Sequence, residues 1–274
     1  MSLFDAFRFD GKRALVVGGA TGMGAATAEL VQEAGAEVVV MDFAEVTLPG
    51  ATAIHLNLAD PATIDAAVDE CGGRVDALFS CAGVADGTPG IERINFLGHR
   101  HLIDRMLDRD MLPRGSAIGF ISSAAGLGWE ASMELLNPLL DTPDLEAGQK
   151  WFDENGHADY LSTKQAVCAY VAREAFSFMQ RGIRINATCP GPTDTPLAQA
   201  NKETWLGLGT DYRGDLGIEA STAMDQAYPL VFLCSDAARA ITGTTLISDL
   251  GYMSSGMTES YPSASGIAHF LFAR

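Results

Sequence analysis

The chain has 274 residues, with 18 Lys and Arg against 35 Asp and Glu, a net charge of −17, and 47% hydrophobic residues. So apolar a composition argues against disorder, and the length suits one large domain or two small ones. A net-negative surface without a basic stripe argues against nucleic acid as a partner, and no apolar run approaches the roughly 20 residues that cross a bilayer.

The opening residues MSLFDAFRFDGKR lack the basic, apolar, small-residue order of a signal peptide, so the expected location is the cytoplasm. Short apolar runs bounded by Gly, Asp or Asn predict strands at 13–17, 37–41, 53–56, 77–80, 117–121, 183–188 and 245–248. Helical spacing falls between them at 25–34, 62–71, 94–108, 160–180 and 223–234. Gly35, Gly72 and Gly182 stand where helices are expected to end. Such alternation predicts an α/β fold, one domain over residues 1–274, built on a doubly wound, seven-stranded parallel sheet with helices on both faces. Five cysteines (Cys71, Cys81, Cys168, Cys189, Cys234), odd in number and without a C-x-x-C, read as buried reduced thiols.

The turn after the first strand is Gly18-Gly19-Ala20-Thr21-Gly22-Met23-Gly24. Glycines let backbone approach a pyrophosphate closely, and the following helix offers free N–H groups and a partial positive charge. The second strand ends in Asp42, 18 residues after Gly24, where a carboxylate accepts both hydroxyls of an adenosine ribose and repels a 2′-phosphate. No Arg or Lys lies between Arg13 and Arg74 to welcome that phosphate, so NAD is favoured over NADP. A solvated strand-end carboxylate is the plain alternative for Asp42.

His99 and His101, two apart on a helix, point away from each other, and no metal site is expected. Residues 127–158 are too long for an ordinary connection and form either a lid or an insertion packed on the core or on another subunit. Tyr160 and Lys164 open the longest helix at i and i+4, about 5–6 Å apart on one face. An ammonium that close stabilises phenolate, so the pair is expected to lower the phenol's pKa and let it trade protons with an alcohol. Residues 193–222 follow the sixth strand with Trp205, Leu206, Leu208 and Tyr212, and read as a substrate-binding loop or as a surface insertion.

Taken together these motifs resemble the short-chain dehydrogenase/reductase family of the Tyr-x-x-x-Lys type, over nearly the whole chain. The resemblance implies a single NAD-binding Rossmann domain with a helical insertion between the fifth strand and the catalytic helix. The glycine turn fits the family's cofactor loop through Gly18, Thr21, Gly22, Met23 and Gly24, although Val17 stands where Thr is usual. Asn57-Leu58 takes the usual Asp-Val place near the adenine, and Ser80-Cys81-Ala82-Gly83 replaces Asn-Asn-Ala-Gly, leaving Cys81, Ala82 and Gly83 as cofactor contacts through backbone. Pro190-Gly191-Pro192-Thr193-Asp194-Thr195 is similar to the segment that holds the nicotinamide carboxamide, which implies contacts from Pro190, Gly191, Thr193 and Thr195. By the same resemblance Tyr160 is the general acid/base, Lys164 lowers its pKa and holds the nicotinamide ribose, Ser123 polarises the substrate oxygen with Ser122 as fallback, and Asn95 links the site to water.

Ser123 and Tyr160 stand 37 residues apart, many more than in most of the family. That layout, with Cys-Ala-Gly, resembles bacterial 3α-hydroxysteroid dehydrogenase/carbonyl reductases and coniferyl-alcohol dehydrogenase-like proteins. It implies a homo-oligomer, dimer or tetramer, with Leu135, Leu136, Leu139, Leu140, Trp151 and Phe152 of the insertion in the subunit contact. The expected activity is the NAD-dependent interconversion of an alicyclic, steroid-like or aromatic alcohol and its carbonyl compound. Trp129, Trp205, Leu206 and Tyr212 are the expected pocket side chains, with core packing as the alternative for each. Two other classes remain: a catalytically silent NAD(H)-binding scaffold or sensor, and a nucleotide-sugar lyase or epimerase, for which too little chain follows Gly243.

Overall fold

The computed structural model describes residues 2–272; residues 1, 273 and 274 of the expected domain lie outside the described residues. The first half runs β1 (Arg13–Val17), α1 (Gly22–Glu33), β2 (Glu37–Asp42), β3 (Thr52–His55), α2 (Pro61–Cys71), β4 (Ala77–Ser80), α3 (Gly98–Asp108) and β5 (Ala117–Ile121). Then follow α4 (Met133–Leu140), α5 (Leu145–Asn155), α6 (Tyr160–Gln180), β6 (Arg184–Pro190) and β7 (Thr193–Asp194). The chain continues through α7 (Pro196–Ala200), α8 (Lys202–Trp205), α9 (Thr210–Leu216), β8 (Ser221–Thr222), α10 (Ala223–Cys234), β9 (Thr245–Ser248), α11 (Tyr252–Met257) and α12 (Ser265–Leu271).

Seven strands form one parallel sheet in the order β3-β2-β1-β4-β5-β6-β9. Both faces are covered, which is why the strands read as unbroken apolar runs. Leu15, Val17, Val39 and Met41 point to the side of α2, α3 and α6, whereas Ala14, Val16, Val38 and Val40 point to the side of α1 and α10. Strand order reverses between β1 and β4, and the carboxyl ends of those two strands diverge into a crevice. β7 and β8 pair in parallel, Thr193 opposite Ser221 and Asp194 opposite Thr222, so the loop between them leaves and re-enters the fold at one point.

Three of the boundaries that differ from expectation bear on the site. α1 begins at Gly22, so the last glycines of the turn already belong to the helix. A wider π turn, Arg93–Leu97, precedes α3 and carries Asn95. β6 runs on to Pro190, which ends its pairing with β9.

The insertion contains α4 and α5, and its apolar side chains are used within the chain. Leu136, Leu139, Leu140 and Phe152 are buried in the main core, Trp151 packs against it, and of the six residues expected at a subunit contact Leu135 alone is exposed. The core-packed alternative therefore holds for the other five. Gly148 of α5 lies so close to the π turn that a Cβ there would meet Leu97 at 2.5 Å. Arg93 of the same turn donates to Gln149 at 2.8 Å and to Glu146 at 3.3 Å. All five cysteines are free, four buried and Cys81 partly so. Among the described residues no helix is long and apolar enough to cross a membrane.

Candidate active site

The crevice between β1 and β4 opens into a groove of about 470 Å³. Its floor is set by close backbone approach. A Cβ on Gly24 would stand 1.9 Å from the Gly18 carbonyl oxygen, and one on Gly18 would stand 2.4 Å from Ala82 N, at a φ of +83° that already suits glycine. The first helical hydrogen bond of α1 is donated by Ala25 to the Thr21 carbonyl, leaving the N–H groups of Gly22, Met23 and Gly24 at the groove without a backbone acceptor. That is a built place for an anionic group.

Asp42 closes the far end of the groove. Its Oδ2 accepts from the N–H of Ala20 at 2.8 Å and its Oδ1 from that of Ala44 at 2.9 Å, so the carboxylate is fixed in orientation and ties β2 to the glycine turn. Each oxygen keeps a second lone pair for a hydroxyl. Asn57, Leu58 and the exposed ring of Phe43 line the same end, with no Lys or Arg among the lining residues. The donor set thus fits a dinucleotide whose ribose hydroxyls are free. Asn57 is partly spent on its own turn, its Oδ1 accepting from Ala59 N–H at 3.0 Å.

Beyond Cys81, Gly83 and Thr195 the groove continues into a second cavity of about 330 Å³. Ser123, Tyr160, Lys164, Pro190, Gly191 and Thr193 all line it. Tyr160 starts α6 because Asp159 caps that helix, accepting from Ser162 N–H at 2.7 Å. Asp86, from the loop after β4, accepts from the Tyr160 N–H at 2.5 Å and anchors the same turn from across the groove. Ser122, the fallback, also lines the cavity, but it is buried and its hydroxyl donates to the Lys164 carbonyl at 2.9 Å. Ser123 accepts the Ala125 N–H at 3.2 Å and lies beside the phenol.

The expectation that Lys164 lowers the phenol's pKa is corrected. Burial pushes Tyr160 up to about 12, against a smaller downward pull from the Ser123 hydroxyl. Lys164 Nζ sits 5.6 Å from the phenol ring centroid and donates to the Ile121 carbonyl at 3.2 Å. Burial in turn brings its own pKa down to about 8. Desolvation is the leading cause of both shifts.

For Lys164 the shift has a stability consequence of definite sign. Between pH 8 and 10.5 the unfolded chain holds a proton that the fold has released, so unfolding free energy rises with pH across that window. The full rise amounts to about 3 kcal/mol. Lys164→Met removes it, so the stability gap between variant and wild type in urea unfolding should change by most of that amount from pH 7.5 to pH 10. A pH-independent gap would refute the shift.

Asn95 is placed behind the site with both amide hydrogens engaged. Its Oδ1 accepts from Val84 N–H at 2.8 Å, and its amide donates to the Val84 carbonyl at 3.1 Å and to Thr163 Oγ1 at 3.3 Å. Its side chain braces the β4 loop against α6 and has no amide hydrogen left for a water relay. Thr195 caps α7 by accepting from Ala198 N–H at 3.2 Å, and Thr193 donates to the Gly191 carbonyl at 2.9 Å.

On the substrate side Trp205 lines the cavity and lays its indole over the Tyr160 ring, centroids 4.9 Å apart. Trp129, Leu206 and Tyr212 do not line it. Trp129 packs against two core clusters, and Tyr212 packs its ring at an angle against Tyr252 and Tyr261 while donating to the Leu250 carbonyl. The remaining apolar wall comes from Ala124, Leu197, Leu208, Ile267 and Leu271. The last two lie on α12, which the sequence reading missed; Ile267 and Leu271, four apart, were the signal. Gly128 fixes that helix, since a Cβ there would meet the Leu271 carbonyl oxygen at 2.0 Å. His99 and His101 turn to opposite partners, the Ala82 carbonyl and Asp65.

Residues 12–133 match a family model described as short chain dehydrogenase, and residues 147–253 one described as enoyl-(acyl carrier protein) reductase. The stretch between the two matches falls within the insertion. A coniferyl-alcohol dehydrogenase from a Pseudomonas species is 29% identical over 251 residues, covering 89% of this chain and 97% of its own. A 2,5-dichloro-2,5-cyclohexadiene-1,4-diol dehydrogenase from Sphingobium indicum is 31% identical over 276 residues, covering 89% and 97%. The crystal structure of a 3-alpha-hydroxysteroid dehydrogenase from Pseudomonas sp. B-0831, complexed with NADH, superposes with a TM-score of 0.72 at 26% identity, covering 91% of this chain and 99% of the other.

Proposed function

The chain belongs to the short-chain dehydrogenase/reductase family, and from that premise we propose that it is an NAD-dependent oxidoreductase interconverting a secondary or allylic alcohol and its carbonyl compound. One observation carries the reading: Ser123, Tyr160 and Lys164 meet at an apolar cavity continuous with a groove built for a dinucleotide. The relatives named above act, by their names, on cyclic or aromatic alcohols. A cavity of about 330 Å³ walled by Ala124, Trp205, Leu208, Ile267 and Leu271 suits an alicyclic, steroid-like or aromatic alcohol.

Gly22, Met23 and Gly24 would hold the pyrophosphate, Asp42 the adenosine ribose, and Pro190 to Thr195 with Lys164 the nicotinamide end. Bound there, a nicotinamide dinucleotide supplies the hydride acceptor or donor and, in its oxidised form, a positive charge near the phenol. The Ser123 hydroxyl holds the substrate oxygen next to Tyr160 Oη. In oxidation the deprotonated phenol takes the hydroxyl proton, and in reduction the protonated phenol gives one to the carbonyl oxygen. Trp205 restricts how a substrate ring lies against the phenol. Exposed Phe176 and Met179 on α6 and Leu246 on the edge strand β9 support assembly as a homo-oligomer.

The discriminating experiment is reduced-cofactor formation by the purified protein with NAD⁺ or NADP⁺ across steroid, monoterpene and aromatic alcohols. Turnover with NAD⁺ is expected. Tight NADH binding with no turnover of any alcohol, or of the ketones in reverse, would favour the silent scaffold instead. Asp42→Ser should raise the NADP-to-NAD ratio of kcat/KM by about 10- to 100-fold, by removing a charge that repels the 2′-phosphate. An unchanged ratio would clear Asp42 of that role.

A further inference from the structure

Behind the groove, two polar side chains are buried with one atom each unpartnered: Ser80 Oγ and His99 Nδ1. Both residues are 1% exposed. Ser80 ends β4 in register with Phe120 of β5, and His99, on the first turn of α3, sets its ring edge-on against Phe120 with centroids 5.9 Å apart. Register partners on neighbouring strands point to the same face. The serine hydroxyl and the imidazole therefore share one face of the sheet, over one phenyl ring.

The other ring nitrogen, Nε2, lies 3.1 Å from the Ala82 carbonyl. A carbonyl oxygen only accepts, so Nε2 carries the hydrogen. Burial brings the imidazole's pKa down to about 4, which keeps the ring neutral and leaves Nδ1 as a bare acceptor. Ala82 is a sensitive point in the groove: its N–H donates to the Val17 carbonyl at 3.0 Å, and Gly18 packs against its backbone and Cβ. A shift of Ala82 therefore moves the floor under the glycine turn.

We propose that His99 is a positioning residue for the dinucleotide, fixing the Ala82 carbonyl from behind the groove. This rests on the nicotinamide reading for the ligand's identity. A histidine that merely fills the core would change melting temperature without changing cofactor affinity.

The test is NADH titration, followed by nicotinamide fluorescence, on the full chain, with thermal unfolding of the unliganded protein measured alongside. His99→Leu, which fills similar space without a donor, should raise the NADH Kd about tenfold. His99→Gln, whose amide nitrogen reaches the place of Nε2, should stay within about twofold of wild type. Should His99→Leu fail to fold, His99→Asn, polar but too short to span to Ala82, should show the same loss. Wild-type-like binding by the Leu or Asn variant, or equal losses for Leu and Gln, would overturn the inference alone. A wild-type protein that binds no NADH would overturn it together with the cofactor reading.

Discussion

Tyr160→Phe is expected to lower kcat/KM by about 10³- to 10⁴-fold in both directions while leaving NADH affinity within a factor of about two. The substitution is clean because everything else about the side chain is retained. The backbone N–H still meets Asp86, the ring still lies under Trp205, and the helix start capped by Asp159 is untouched. Only the oxygen proposed to exchange the proton is gone. The phenol's raised pKa adds a directional signature: near 12 it is protonated at neutral pH, so carbonyl reduction should hold steady from pH 6 to 8 while alcohol oxidation climbs with pH. A variant retaining a tenth of wild-type activity would show that another group carries the proton. Oxidation that fails to rise above pH 8 would show that the phenol titrates elsewhere.

Gly24→Ala should cost at least about 2 kcal/mol of stability and weaken NADH binding about a hundredfold. Helix propensity argues the reverse, since alanine in a helix is favoured over glycine by about 1 kcal/mol. Geometry decides between them. The new Cβ would lie 1.9 Å from the Gly18 carbonyl oxygen, 2.8 Å from its carbon and 3.1 Å from Cys81 Cβ. Gly18 has no room to retreat, because its N–H is held by the Met41 carbonyl at 2.8 Å and its other side abuts Ala82. The turn must open, and the free N–H groups of α1 lose their aim. Unchanged melting temperature and NADH affinity would mean that the approach is looser than described. The contrast separates propensity from packing at a single position.

Sequence pattern carried the sheet because parallel strands buried on both faces leave a one-dimensional trace of apolar runs ending in Gly, Asp or Ser. The start of α6 was legible for a similar reason: Asp159 before Tyr160 is a local capping signal that needs no tertiary context. What stayed hidden depended on direction or on desolvation. Trp129 and Tyr212 read as pocket residues, yet a side chain's heading follows from which neighbour offers a partner, and Tyr212 found Tyr252, Tyr261 and the Leu250 carbonyl. The insertion's leucines looked free for a second subunit until α4 and α5 were seen to cover the main core. Spacing of Tyr160 and Lys164 gave their proximity correctly, but the sign of the phenol's shift depends on how much water each loses. No spacing records that.

The contact between Trp205 and Tyr160 makes the protein its own optical probe. Trp205 is one of three tryptophans, and the other two, Trp129 and Trp151, pack against the core and do not line the cavity. An indole with a phenol ring centred 4.9 Å away emits according to what stands beside it. A ligand sliding between the rings, or ionisation of the phenol, alters that emission with no label attached. Occupancy of the substrate side can then be followed on the millisecond scale in protein stripped of nucleotide, where absorbance of the reduced ring gives no signal.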